Sequence, residues 1–126
     1  MNQRPRTVLV VDDQEDERVI QRAMLGHLGY AVHEAADGES GLRLAHDLCP
    51  DLVLLDVAMP RMDGLSVCRA LRADAVTANI PIVLFTASVT GDLDEMAREA
   101  GADAILTKPI EPHRVAEIIA GLIGPA

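Results

Sequence analysis

The groups best equipped for chemistry in this 126-residue chain lie just past short apolar runs. Asp12 and Asp13 follow Val8-Leu9-Val10-Val11, and Asp56 follows Leu52-Val53-Leu54-Leu55. Thr86, with Ser88 close behind, follows Ile82-Val83-Leu84-Phe85, and Lys108-Pro109 come soon after Ala104-Ile105-Leu106. Singly, such residues cap helices or sit in solvent. Jointly they do not, because carboxylates gathered at ~4 Å repel by roughly 4 kcal/mol per pair at an effective dielectric near 20. A divalent cation and a lysine remove that conflict. Hard oxygen ligands at an open site suit a Mg²⁺-like ion that completes its shell with water and a phosphate oxygen.

These residues can meet only if the runs between them are parallel strands. The three wholly apolar, β-branched runs read as strands buried on both faces. Tyr30 to Ala35 alternates and Ala104–Leu106 is short, so both read as edge strands. Between the strands, Gly41, Leu44, Ala45 and Leu48 fall at helical spacing, as do Leu93, Met96, Ala97 and Ala100. Val115, Ile118, Ile119 and Leu122 repeat the pattern. The first helix is expected over about 14–28 and the third over about 63–72. Gly29 and Gly101 fit helix C-termini and Pro112 a first helical turn. The result is an α/β domain of five βα units, a flavodoxin-like, doubly wound three-layer sandwich. The sheet order 2-1-3-4-5 puts the three apolar strands inside, and ligand sites in such sheets lie past the strands' carboxyl ends.

Composition excludes several functions. Lys and Arg number 11 against 20 Asp and Glu, giving a net charge of −9, the wrong sign for direct nucleic-acid binding. With Tyr30 and Phe85 the only aromatics, there is no base-stacking platform or aromatic cage. No apolar run approaches a membrane span and no apolar leader is read at the N-terminus, so the expected location is cytoplasmic. Cys49 and Cys68 form no CxxC pair and are expected to be buried small hydrophobes. The four histidines, His27, His33, His46 and His113, have no metal-ligand spacing and read as surface or helix-end residues. The turn Asp12-Asp13-Gln14-Glu15-Asp16 lacks the glycines of a nucleotide-binding loop, which points to a phosphate that arrives covalently.

The motifs Val10-Val11-Asp12-Asp13, Leu54-Leu55-Asp56-Val57-Ala58-Met59-Pro60-Arg61-Met62-Asp63-Gly64, Pro81–Ala87 and Gly101-Ala102-Asp103 through Lys108-Pro109 closely resemble the receiver domain of two-component response regulators. The likeness spans about residues 7–123, after a short polar tail at 1–6. It implies that Asp56 takes a phosphoryl group from a phosphohistidine of a histidine kinase or phosphotransfer protein. It implies that Asp13, Asp56 and the backbone carbonyl of Ala58 ligate Mg²⁺ (or Mn²⁺), with Asp12 acting mainly through water. Lys108 would pair with Asp56 and then with the phosphoryl oxygens, and Thr86 would turn its hydroxyl onto them. Lys108–Pro109 is expected to be cis. The changed surface would be the fourth helix, fifth strand and fifth helix. It would bind a downstream protein or effector domain and could support a phosphorylation-dependent dimer. Catalysis would be limited to the domain's own phosphoryl transfer and slow autodephosphorylation.

Three positions depart from the common pattern of that family. Ile105 and Ile110 stand where aromatic residues are frequent, which puts aromatic coupling of the switch in doubt. Ala58 carries only a methyl group where side chains influence dephosphorylation. Residues 124–126 close the chain with no effector domain expected after them; a stand-alone regulator and a piece of a longer protein both fit. Two rival readings remain. A pseudo-receiver would be a phosphorylation-independent interaction module. An aspartyl-phosphate hydrolase of the haloacid-dehalogenase type would use Asp12 as nucleophile, but it needs a DxD pattern and a cap insertion.

Overall fold

The computed structural model describes residues 4–109 and 111–125, so the expectation about Ile110 lies outside the described residues. Strands and helices alternate: β1 Thr7–Val11, α1 Glu15–His27, β2 Ala31–Ala35, α2 Gly38–Leu48, β3 Leu52–Asp56, α3 Gly64–Ala73, β4 Ile82–Thr86, α4 Gly91–Ala100, β5 Ala104–Thr107 and α5 Pro112–Ile123. All four pairings are parallel and the sheet order is β2-β1-β3-β4-β5, as the apolar patterns require. Every residue of β3 and β4 is buried, whereas β2 and β5 are partly exposed edges.

The two-residue period of the strands divides the core. Leu9, Val11, Val53, Leu55, Ile82 and Leu84 face the layer that includes α2, α3 and α4, with Val67, Leu71 and Ala97 packed against them. Val8, Val10, Leu52, Leu54, Val83 and Phe85 face α1 and α5, meeting Leu25, Val115 and Ile119. Each fully buried aliphatic or aromatic side chain contributes about 1.5–3 kcal/mol of transfer free energy, so both faces of the central strands hold the sheet in place.

Helix ends follow their local chemistry. The Asp37, Asp63 and Thr90 side chains accept from the backbone N–H groups of Ser40, Ser66 and Leu93 and start α2, α3 and α4. Pro112 opens α5. Gly29 and Gly101 take φ of 98° and 96° past the ends of α1 and α4, the left-handed region that glycine enters freely.

One expectation fails. Cys68 is buried and its thiol donates to the Ala100 carbonyl at 3.3 Å, but Cys49 is exposed. Cys49 caps α2 in a left-handed conformation with φ 47° and stays at the surface, while the next residue, Pro50, is buried and leads toward β3. His27, His46 and His113 are exposed and His33 is half-buried. Among the described residues no helix is long and apolar enough to cross a membrane.

Candidate functional site

The register brings the acidic residues together. Val11 pairs with Leu55, so the residues one step on, Asp12 and Asp56, emerge side by side at the carboxyl edge of the sheet. A carboxylate oxygen from each of Asp12, Asp13 and Asp56 lies within 4.8 Å of the others. Asp12 and Asp56 are 0% and 2% exposed. Asp13 is half-buried, and its Oδ1 is buried without a hydrogen-bond partner. An unpartnered buried carboxylate oxygen is costly unless something positive completes it. The donor set, all hard oxygens at an open strand end, fits a divalent cation.

Burial works against ionisation here. It is the main reason that Asp12 is pushed up to about 7, with the neighbouring Glu17 and Asp56 carboxylates adding to it. Asp56 is also raised, by burial first, although Lys108 and the Ala58 N–H pull the other way. The Ala58 N–H donates to Asp56 Oδ1 at 3.2 Å, and Ala58 itself is exposed. Gly64 is the close-packed point of this loop. A Cβ there would lie 2.3 Å from the Asp56 carbonyl oxygen, so only glycine lets α3 start against the strand end.

Lys108 reaches the cluster from the end of β5. Its backbone N–H donates to the Thr86 carbonyl at 2.7 Å, which fixes the loop, and the Lys108–Pro109 peptide is cis. The ammonium lies 3.5 Å from Asp56 Oδ2 and 5.0 Å from the centre of the Phe85 ring. Its shorter contact, 2.7 Å, is with Glu17 Oε2 on α1. Burial would lower the Lys108 pKa, but Glu17, Asp56 and Asp12 outweigh it and hold the ammonium protonated. Burial likewise raises Glu17, yet its contacts with Asp12 and Lys108 leave it below its ordinary value.

Thr86 is buried at the end of β4, in weak contact with Ser88: its Oγ1 is 3.4 Å from the Ser88 carbonyl and 3.5 Å from the Ser88 nitrogen. Ile105 is half-buried against the α2–α3–α4 side of the core, and Pro109 is exposed. Thus Asp12, Asp13 and Asp56 share one centre with Lys108 beside them, while Ile105 lies within the packing next to α4.

Three residues of α1 join the site that the sequence reading did not single out. Glu17 holds Lys108, Gln21 donates to Asp12 Oδ2 at 3.4 Å, and Arg18 Nη1 donates to the Asp12 carbonyl at 2.6 Å. The signal was the i, i+4 pair Glu17 and Gln21 in the helix that starts directly after the two aspartates.

The chain matches the response regulator receiver domain family over residues 8–120. It is 46% identical over 105 residues to the response regulator PleD of Caulobacter vibrioides, covering 82% of this chain and 23% of that protein. It is 40% identical over 110 residues to the probable transcriptional regulator ycf27 of Guillardia theta, covering 86% of this chain and 41% of that one. The chain therefore spans less than half the length of these curated relatives. Among solved structures, it superposes with a TM-score of 0.89 and 31% identity on the receiver domain of a sensor histidine kinase from Pseudomonas aeruginosa PAO1, covering 96% of this chain and 99% of that one. That structure holds a magnesium ion in its active-site cleft. With Asp12, Asp13 and Asp56 forming the acidic cluster of such a domain, this chain belongs to the response regulator receiver domain family.

Proposed function

We propose that residues 7–123 act as a phosphorylation-activated signalling switch in the cytoplasm, with Asp56 as the phosphoacceptor. The observation that carries this reading is the convergence of Asp12, Asp13 and Asp56 within 4.8 Å, with the Lys108 ammonium 3.5 Å from Asp56. An Asp56 carboxylate oxygen attacks the phosphorus of a phosphohistidine on a histidine kinase or phosphotransfer protein. The P–N bond breaks, the imidazole leaves and takes up a proton, and an acyl phosphate forms on Asp56. Asp12, Asp13, Asp56 and the Ala58 carbonyl would hold Mg²⁺ (or Mn²⁺), which offsets the charge of the phosphoryl oxygens.

Thr86 and Lys108 gain new acceptors in the phosphorylated state. Charge-assisted hydrogen bonds contribute about 1.5–3 kcal/mol each, and shifting a two-state element from 1:99 to 99:1 takes about 5.5 kcal/mol. Two or three such bonds are enough to bias α4, β5 and α5, reached through Thr86 and Lys108. That surface then binds a downstream protein, an effector domain or a second copy. Water later cleaves the acyl phosphate slowly.

The test is intact-protein mass after incubation with acetyl phosphate and Mg²⁺. One added phosphoryl mass on the wild type and none on Asp56→Asn is expected. Equal addition to both proteins overturns the assignment of Asp56.

A further inference from the structure

Lys108 is the single lysine of the chain; every other fixed cation is an arginine. Its ammonium carries three N–H donors, yet it makes its short side-chain contact in the site with Glu17 and not with Asp56. Charge-assisted N–H···O bonds run at ~2.7–2.9 Å. The contact to Glu17 Oε2 is 2.7 Å, whereas Asp56 Oδ2 stands at 3.5 Å. The Phe85 ring, 5.0 Å from the ammonium, fills another side. Glu17 is held in place from α1, where Gln21, one turn on and 4% exposed, also turns inward to Asp12. Neither side chain fills the hydrophobic core, yet both aim at the strand ends, so α1 supplies a second polar layer to the acidic cluster.

We propose that Glu17 is a positioning residue that holds Lys108 off Asp56 in the resting domain and releases it when phosphoryl oxygens appear on Asp56. This rests on the reading of Asp56 as phosphoacceptor. Glu17 touches no reacting atom. It acts by competing for the one ammonium the site has. A single carboxylate on Asp56 loses that competition at rest, while a phosphoryl group, with more charge and three acceptor oxygens, wins it. Glu17 therefore sets how readily the lysine is transferred and how much of the switch is thrown before phosphorylation.

Two measurements test this on the whole chain. With lysine labelled with ¹⁵N at Nζ alone, the NMR spectrum carries one ammonium nitrogen signal, that of Lys108, the chain's one lysine. Without any phosphodonor, Glu17→Gln is expected to move this signal more than Asp56→Asn does. The reverse order overturns the inference. With acetyl phosphate and Mg²⁺, Glu17→Gln is expected to be phosphorylated roughly three- to fivefold faster, the range that removing a partly exposed ion pair allows. Glu17→Asp, which keeps the charge on a shorter stem, should fall between Glu17→Gln and wild type. Rates equal to wild type for Glu17→Gln overturn the inference while leaving Asp56 as acceptor. A wild type that takes no phosphoryl group overturns the proposed function, and the role of Glu17 falls with it.

Discussion

At the amino ends of β4 and β5, Arg72 donates from Nε to the Gly101 carbonyl at 2.9 Å and from Nη1 to the Ala78 carbonyl at 3.0 Å and the Ile80 carbonyl. Its Nη2 donates to Asp103 Oδ2 at 3.0 Å, and the same oxygen accepts from the Ile82 N–H at 2.8 Å. At the carboxyl ends of β1 and β3, three carboxylates face one another, Asp13 Oδ1 has no partner, and the one ammonium divides its attraction between Glu17 and Asp56. The charges around Arg72 are fully matched by near neighbours, so they tie α3, α4, β4 and β5 into one unit. The charges around Asp56 are mismatched, which leaves unspent capacity for a cation and a phosphoryl group. An unmatched buried polar group costs stability, and a matched one returns it. One end of the sheet is thus built for rigidity and the other for chemistry.

The largest expected effect crosses the boundary between the two. In Gly64→Ala the added Cβ meets the Asp56 carbonyl at 2.3 Å and Val57 Cα at 2.8 Å, both backbone atoms that cannot rotate away. Destabilisation of about 3 kcal/mol in urea titration is expected, with loss of phosphoryl acceptance by mass. A stable, fully active variant would show that the Asp56 turn is slack. Arg72→Ala should separate the ends. Removing the guanidinium leaves three carbonyls and Asp103 short of a donor and should destabilise by about 2–3 kcal/mol. Phosphorylation of the folded fraction should continue at the wild-type rate. A selective loss of phosphorylation would break the division of labour.

The pH dependence of stability should come mainly from the chemical end. Burial raises Asp12 to about 7 in the folded protein, whereas the unfolded chain releases that proton near 3.8. The folded state therefore holds the extra proton, and its stabilising effect is fully present below the unfolded value. It is lost as pH rises through about 7. In metal-free buffer, stability should fall toward neutral pH by at most about 1.4 kcal/mol per unit. Asp56, also raised by burial, acts in the same sense. Glu17, held below its ordinary 4.5, contributes stability above that value that is lost only as pH falls below it. Asp12→Asn should flatten the slope between pH 5 and 7 in thermal melts; an unchanged slope would place the proton elsewhere.

The sequence made the scaffold and the acidic cluster legible for a specific physical reason. Strands buried on both faces must be apolar throughout, so Val8–Val11, Leu52–Leu55 and Ile82–Phe85 stand out, and the polar residue after each marks the edge where ligands bind. The contribution of α1 was legible only as the shared face of the i, i+4 pair Glu17 and Gln21, not as a set of partners. Glu17 lies in an acidic first turn that reads as ordinary helix-dipole complementarity, and only the tertiary approach of β5 shows that it meets Lys108. The Arg72 knot was hidden for the same reason: three of its partners are backbone carbonyls, which carry no sequence signal, and the fourth, Asp103, meets it only through the tertiary fold. Cys49 misled because its type favours burial, while its place after the last turn of α2 exposes it.

Helix α4 joins the two ends and should record the contrast along its own length. Its C-terminus is held where Gly101, at φ 96°, passes its carbonyl to Arg72. Its N-terminus, after the exposed residues 87–90, depends on Thr90, whose Oγ1 accepts from the Leu93 N–H at 3.2 Å. Thr90→Ala removes that cap, worth about 1 kcal/mol in typical helices. Little of this should reach the global unfolding free energy, because the first turn can open while the second stays packed. Hydrogen exchange of the 92–95 amides should quicken several-fold, and that of the 98–101 amides should not change. Uniform acceleration along α4 would mean that the helix opens as one body, so that the Arg72 end and the phosphorylation end are coupled rather than separate.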